Sequence, residues 1–335
     1  MLNKTYYMTK ILITIISFFI FGFMFNSGNA KIVYSSDDSK SGYFQIFIMD
    51  DDGSNKTQIT DLSANCSHPK WSSDGTKIVF QTDEEYIYLI NNADAVTPDE
   101  AKLISRGTFP LFTADGNFII YNSDKDGVLT IYLLDPDEDD SYIISTLGYS
   151  NQQVLSKNGT MLVFSAFYEG NKCVMMMDLD DTTDDNTYRV STNDNANLLP
   201  DVNSDGSMVV YASFNNQLNG TIILNKEGKE IPLTKGITSS NQPKFSPDAS
   251  KIGFVTITNS SVKLYTMNLD GTDKQPLQTS GGSIGTYTWL DNDRIIYDAE
   301  DGSAYIIGIY NIATSTNVLI AKNGNCMHPD GIVLN

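Results

Sequence analysis

The sequence predicts an all-β propeller of seven four-stranded antiparallel blades. Three observations lead to this prediction: a motif that recurs every 41–47 residues, short strand-like segments within each repeat, and two chain ends that together make one more repeat. An array of such repeats can fill a chain of 335 residues as a single domain. Six internal repeats and the composite one give seven blades. Six or eight blades are the alternatives, because the sixth repeat is degenerate.

The motif is clearest in HPKWSSDGTKIVF, residues 68–80. It contains a short strand, an Asp-Gly turn and a second strand rich in Ile, Val, Phe and Tyr. Asp and Gly favour tight turns because they tolerate positive φ, and β-branched and aromatic residues favour strands. The turn position falls at Gly75, Gly116, Gly159, Gly206, Ala249 and Asn292. Repeats of about 40–50 residues made of short strands are typical of propeller blades.

Each repeat continues with a third strand, such as residues 262–268, and with a brief fourth strand, such as RVS at residues 189–191. Two of the fourth strands contain proline, at Pro232 and Pro276. Proline is tolerated in an edge strand because one side of that strand has no ladder partner. No helical period of comparable length is present, so each blade is predicted to consist of four antiparallel strands.

The two ends of the chain complement each other. Residues 31–60 contain a second, a third and a fourth strand but no first strand. The C-terminal segment NCMHPDGIVLN, residues 325–335, contains a first strand and its turn but no later strands. Joining the two makes one complete blade and removes an exposed strand edge, which would otherwise favour aggregation. The sequence therefore predicts that the C-terminal strand closes the ring.

Residues 1–30 have the pattern of a secretory signal peptide. Two lysines precede an apolar run that ends at Phe25, and small residues lie at the positions that signal peptidase requires before Ala30. The run is shorter than the roughly 20 residues needed to span a bilayer, although an uncleaved anchor is the alternative. We therefore expect cleavage after Ala30 and a propeller over residues 31–335. The product would be a secreted or periplasmic monomer without membrane insertion.

The charge balance excludes some partners. The chain has 22 Lys and Arg against 41 Asp and Glu, which gives a net charge of −19. Nucleic-acid-binding proteins need a basic surface, and an anionic membrane would repel this chain. The acidity favours solubility and cationic partners.

The repeat resembles that of the TolB-like β-propellers, in which an aromatic-Ser-Pro-Asp-Gly turn precedes a strand and a later strand ends in Asp-Leu-Asp-Gly. The clearest copies are PKWSSDGTKIVF from Pro69, PKFSPDASKIGF from Pro243, IFIMDDDGS from Ile46 and YTMNLDGT from Tyr265. The resemblance covers residues 31–335 and implies binding through a propeller face. In TolB itself an α/β domain is expected before the propeller, whereas in this chain the predicted propeller follows the predicted signal sequence directly. The same scaffold carries assembly factors, peptidase gating domains and polysaccharide lyases.

Two segments share the pattern Asn-Cys-x-His-Pro, NCSHP at residues 65–69 and NCMHP at residues 325–329. Both lie on first strands of neighbouring blades, and residues two apart on a strand point the same way. Cys66, His68, Cys326 and His328 would thus meet near the channel. Three interpretations follow: plain packing of small buried cysteines, a Cys66–Cys326 disulfide, or a tetrahedral zinc or copper site.

Two further patterns suggest other chemistry. Acidic clusters at residues 50–52, 135–140 and 178–185 contain enough carboxylates for calcium, but none has the spacing of an EF-hand loop, and solvated turns between strands are the favoured interpretation. The segment GGSIG, residues 281–285, fits the nucleophile motif Gly-x-Ser-x-Gly, but the predicted strand that follows it does not suit that motif, which precedes a helix. We interpret it as a loop between blades.

These observations favour an exported, non-enzymatic propeller without a cofactor, which binds an envelope or extracellular protein or peptide through one face or the channel mouth. Candidate contact residues are the aromatic residues at the ends of the first strands: Trp71, Phe112, Phe245 and Trp289. The alternative role of these aromatic residues is packing between blades. The alternative function is a carbohydrate-active or hydrolytic enzyme. Related polysaccharide lyases use several histidines around a metal, whereas this chain has 2.

Overall fold

The computed structural model describes residues 30–93, 95, 99–145, 147–181, 186–236, 239–258 and 261–334. The predicted signal sequence up to residue 29 lies outside the described residues. The described part forms seven four-stranded antiparallel sheets and contains no helix. None of its segments is therefore a helix long and apolar enough to cross a membrane. The prediction of an all-β propeller with seven blades is confirmed.

The blades are numbered here in chain order. Blade 1 contains β1 (Ala30–Ser36), β2 (Gln45–Asp50), β3 (Thr57–Gln58) and, from the C-terminus, β28 (Cys326–Val333). Blade 2 contains β4 (Cys66–Trp71), β5 (Ile78–Thr82), β6 (Tyr86–Ile90) and β7 (Lys102–Arg106). Blade 3 contains β8 (Thr108–Phe112), β9 (Ile119–Ser123), β10 (Thr130–Asp135) and β11 (Asp140–Ile143). Blade 4 contains β12 (Asn151–Leu155), β13 (Met161–Tyr168), β14 (Asn171–Asp178) and β15 (Thr187–Arg189).

Blade 5 contains β16 (Ala196–Val202), β17 (Met208–Phe214), β18 (Gly220–Lys226) and β19 (Lys229–Pro232). Blade 6 contains β20 (Ser240–Phe245), β21 (Lys251–Ile257), β22 (Val262–Asn268) and β23 (Gln275–Pro276). Blade 7 contains β24 (Ile284–Trp289), β25 (Arg294–Asp301), β26 (Ala304–Asn311) and β27 (Thr316–Ala321).

The C-terminal strand closes the ring as predicted. β28 pairs antiparallel with β1, with Ala30 opposite Val333 and Ser36 opposite Cys326. β28 thereby becomes the innermost strand of blade 1, the place that β4 holds in blade 2. Blade 1 is therefore built from both ends of the chain, and neither end leaves an unpaired inner edge.

Seven hydrophobic clusters hold the blades together, one at each contact between neighbours, including the contact between blades 7 and 1. The second strands supply most of the large side chains, and their central residues are buried on both faces. This explains why these strands are continuous apolar runs rather than alternating patterns. Fully buried aromatic residues of the second strands include Tyr34, Phe80, Tyr121, Phe164, Tyr211, Phe254 and Tyr297.

The first strands surround the central channel and contact the first strands of neighbouring blades. Each of the seven has a shift in its pairing register, which marks a β-bulge. In six blades the bulge residue has a left-handed backbone conformation: His68, Phe109, Gln152, Leu199, Gln242 and His328. Thr286 is the corresponding residue of blade 7. A bulge re-aims side chains, so the alternation of an ordinary strand does not hold across this position.

Candidate functional site

A cavity of about 600 Å³ opens at the end of the channel where the first strands run into their turns. We call it the funnel. Blades 2 to 7 line it, and each contributes the residue two positions after its bulge: Lys70, Leu111, Val154, Asp201, Lys244 and Thr288. Asp330 holds this position in blade 1. The size falls in the range of about 300–1,000 Å³ that is usual for ligand pockets.

The charges of this ring are arranged unequally. Lys70 forms an ion pair with Asp330, with 2.8 Å between Nζ and Oδ1. Asp201 accepts a hydrogen bond of 2.7 Å from the backbone N–H of Phe245. Within the described part of the chain, Lys244 forms no ion pair, and Lys157 adds another cation to the funnel wall. The funnel of this acidic protein is thus locally rich in lysine.

Burial changes the pKa of both Asp201 and Lys244. It raises the pKa of Asp201 to about 6, although Lys244 and two backbone N–H groups act in the opposite direction. Burial and the neighbouring Lys70 lower the pKa of Lys244 to about 8, while Asp201 and Asp330 oppose that change. Lys244 therefore remains mainly charged at neutral pH, and its Nζ lies 5.6 Å from the centroid of the Tyr287 ring.

Two polar atoms in the funnel wall are buried without a hydrogen-bond partner among the described residues, Trp71 Nε1 and Gln153 Oε1. Their side chains are only 8% and 6% exposed. The corresponding indole of Trp289 does have a partner, since its Nε1 donates to the carbonyl of Lys244 over 3.1 Å. A buried polar group without a partner is costly, and these two atoms are themselves closed off from solvent.

The four aromatic residues that the sequence offered as contacts lie at the funnel wall: Trp71, Phe112, Phe245 and Trp289. Each is only 6–8% exposed and belongs to a cluster between blades. Packing is therefore their main role, and each exposes only a small part of its surface.

The two histidines stack in the channel where the ring closes. The centroids of His68 and His328 are 4.0 Å apart with 25° between the rings, and Phe109 meets His68 edge-on at 5.2 Å. Burial, together with His328 and Lys70, lowers the pKa of His68 to about 3. Burial also lowers the pKa of His328, although Asp298 opposes this, and Asp298 accepts a hydrogen bond of 2.7 Å from the backbone N–H of His328.

The cysteines do not join the histidines. Cys66 and Cys326 are free and buried, in separate hydrophobic clusters on the two sides of blade 1. Each histidine is the left-handed bulge residue of its strand, so the alternation that would place it on the face of the cysteine two residues earlier is interrupted. In the described part of the chain no three His, Cys, Asp or Glu side chains converge to hold a metal ion. This arrangement is that of the packing interpretation.

A thiol count distinguishes packing from the disulfide. We expect the native protein to react slowly with a thiol reagent, because burial raises the pKa of Cys66 to about 12 and also that of Cys326. After denaturation without reductant, three thiols should react, since all three cysteines are free in the structure. A count of one thiol would instead demonstrate a disulfide.

The asparagines of the two Asn-Cys-x-His-Pro segments have a structural role that the sequence did not reveal. Asn65 Nδ2 donates to Asp83 over 2.7 Å, and its Oδ1 accepts from Phe44 N of blade 1. Asn325 makes the same two contacts: its Nδ2 donates to Asp37 over 2.7 Å, and its Oδ1 accepts from Tyr305 N of blade 7. Each asparagine thus connects its own blade to the preceding one, which explains why the segments are alike.

The remaining motifs also have structural roles. Asp50 pairs with Lys31 at 2.5 Å, and Asp51 pairs with Arg294 at 2.6 Å across the contact between blades 1 and 7. Asp135 caps its own turn through the backbone N–H of Asp137. Asp184 and Asp185 lie outside the described residues. The segment GGSIG connects blades 6 and 7 and continues into β24, so the strand–turn–helix geometry of a nucleophile motif is not formed.

Comparisons with known proteins identify the fold. No protein-family model and no curated protein sequence matches the chain. Among solved structures, TolB from Acinetobacter baumannii is 17% identical with a TM-score of 0.57, covering 91% of this chain and 67% of that one. A puromycin-hydrolysing peptidase from Mycobacterium tuberculosis is 10% identical with a TM-score of 0.69, covering 88% and 52%. The chain thus spans about half of that peptidase.

An oligogalacturonate lyase from Vibrio parahaemolyticus is 16% identical with a TM-score of 0.53, covering 77% of this chain and 72% of that one. At these identities the similarity concerns the fold alone. Together with the seven blades and the strand that closes the ring, it shows that this chain has the fold of a TolB-type propeller, as its repeat predicts.

Proposed function

We propose that this chain is an exported, non-enzymatic propeller that binds a segment of a partner protein in the funnel. The observation that carries the proposal is the funnel itself, a cavity of about 600 Å³ that Lys70, Lys157 and Lys244 line at the channel mouth. A peptide segment with an acidic side chain fits a cavity of this size and charge. Export rests on the predicted signal sequence.

The charge of the funnel selects the kind of segment. Lys70, Lys157 and Lys244 line the cavity against Asp201, and Lys244 has no ion pair among the described residues. The overall acidity of the chain favours cationic partners at long range, but a ligand inside the funnel meets the local cations at short range. We infer that the bound segment brings a carboxylate to Lys244.

Peptide selection tests this function. The purified protein is screened against a displayed peptide library, and selected peptides are then titrated while the fluorescence of Trp71 and Trp289 is followed. We expect the peptides to contain Asp or Glu and to change this fluorescence, because both indoles border the funnel. Lys244→Glu should weaken binding by about tenfold or more, since it replaces an attraction by a repulsion.

Lys235→Glu is the matched control, because it makes the same change in charge at an exposed lysine outside the funnel. It should leave affinity within about twofold. The proposal is wrong if the library yields no binding peptide, or if both variants weaken binding equally.

The alternative is a hydrolytic or carbohydrate-active role. It is supported by the similarity to propellers in a peptidase and in a lyase. Turnover of a polysaccharide or peptide by the purified chain, together with stoichiometric metal, would favour this alternative.

A further inference from the structure

The opposite end of the channel, where the first strands begin, carries a second cavity of about 360 Å³. Blades 3, 4 and 5 line it. Its walls include the rings of Tyr149 and Phe167 and the side chain of Leu198, and its polar groups come from Asn151, Gln152 and Lys172. It shares no lining residue with the funnel.

The two rings are unusually exposed for large aromatic side chains. Tyr149 is 69% exposed and Phe167 is 49% exposed. Asn151 pairs with Ser165 in blade 4 as Ser67 pairs with Gln81 in blade 2. Counting two residues outwards from these pairs, Tyr149 corresponds to Asn65 and Phe167 to Asp83, which form the Asn–Asp pair of blade 2. Blade 4 therefore carries two exposed rings at the positions where blades 1 and 2 have a structural link.

The backbone supports the same conclusion. Tyr149 has a φ of 55°, whereas none of the six corresponding residues has a positive φ: Asn65, Arg106, Ala196, Ser239, Ser283 and Asn325. A left-handed conformation is strained for an aromatic residue, and such strain is concentrated at binding sites. The strain here presents the ring at the edge of the cavity.

The polar groups beside the rings are available. Gln152 is held in place, since its Oε1 accepts hydrogen bonds from Ser165 Oγ at 2.9 Å and from Leu199 N at 3.0 Å. Its Nε2 has no partner among the residues that the structure describes, and neither do the amide of Asn151 and the ammonium of Lys172. Amide and ammonium groups beside exposed rings complement a molecule with an apolar face and a polar rim.

We propose that this cavity is a binding site for a sugar ring of a glycan. The C–H face of a pyranose packs on Tyr149 or Phe167, and its hydroxyl groups meet the amides of Asn151 and Gln152. Lys172 favours a sugar that bears a carboxylate. We call this cavity the glycan site.

Calorimetric titration with tetragalacturonate, cellotetraose and chitotetraose tests the proposal, because these probes share the pyranose ring and differ in charge and substituents. We expect at least one probe to bind, with tetragalacturonate favoured by Lys172. Tyr149→Ala and Phe167→Ala should each weaken binding by about tenfold, as the loss of an aromatic contact implies. Tyr142→Ala is the matched control, because Tyr142 is 56% exposed on the outer strand of blade 3.

Tryptophan fluorescence distinguishes binding in the glycan site from binding in the funnel. Both border the funnel, so a probe in the glycan site should give calorimetric heat without a change in tryptophan fluorescence. Lys244→Glu should leave its affinity unchanged. The proposal is overturned if none of the three probes binds at up to about 10 mM, or if binding persists unchanged in both Tyr149→Ala and Phe167→Ala.

Discussion

Deletion of residues 326–335 should abolish cooperative folding. The deletion removes β28, so β1 loses its inner partner from Ala30 to Ser36. It also removes Asp330, which binds Lys70 and the backbone N–H of Trp71 in blade 2. Both interfaces of blade 1 are damaged together. We expect a loss of at least about 5 kcal/mol, comparable to the whole stability of a typical domain, which is about 5–15 kcal/mol. Urea unfolding followed by circular dichroism measures it.

A circular permutant is the control for this deletion. Residues 325–335 are moved in front of Ala30, so that β28 leads directly into β1. Val333 already lies opposite Ala30, and the two residues after it can form a short turn like those of the other blades. This permutant should unfold within a few degrees of the parent. A truncated chain that still unfolds cooperatively near the parental temperature would contradict the closure.

The fold could be predicted from the sequence because its determinants are local. Asp-Gly turns and buried second strands recur in each repeat, and the incomplete repeats at the two ends specify the closure. The separation of Cys66 from His68 could not be predicted, because it depends on a left-handed bulge that interrupts the alternation of the strand. A β-branched and aromatic composition predicts a strand but not where a bulge occurs.

The candidate sites were predictable only in part. Trp71 and Trp289 were placed at the ends of first strands by the repeat, and they do border the funnel. The unpartnered Gln153 and the rings of Tyr149 and Phe167 depend on side chains from several blades, which no single repeat specifies. One signal was present: the position that carries Asn in NCSHP and NCMHP carries Tyr in the sequence YSNQQ of blade 4.

The stacked histidines should make stability depend on pH below neutrality. Histidine has a pKa of about 6.5 when unfolded. In the folded protein the pKa of His68 is lowered to about 3 and that of His328 is also lowered, mainly by burial. As the pH falls through 6.5, the unfolded chain therefore binds protons that the folded chain does not. The stability that these residues contribute is present above 6.5 and is lost on acidification, by about 1.4 kcal/mol per pH unit for His68, and His328 adds to this loss.

Other channel groups act in the opposite direction. Burial raises the pKa of Asp201 to about 6 and also raises that of Asp298. As the pH falls, these carboxyls therefore bind protons at a higher pH in the folded chain than in the unfolded chain. The contribution of Asp201 grows as the pH falls from 6 to about 4, that of Asp298 has the same sign, and both mask part of the histidine effect. Lys70 faces the pair and forms an ion pair with Asp330. The histidine effect must therefore be measured as a difference between variants.

The variant His68→Gln/His328→Gln isolates that difference, because it keeps the carboxyls and removes both imidazoles. Urea unfolding at pH 7.5 and pH 5.5 should show the parent losing about 1.4 kcal/mol more than the variant over this interval from His68, which titrates only when unfolded, and a further amount from His328, whose pKa is lowered in the same direction. Asp201→Asn, which removes the largest opposing group, should make the parental decline steeper. An identical pH dependence of the parent and the double variant would mean that the two rings accept protons without leaving the stack, which two like charges with centroids 4.0 Å apart strongly disfavour.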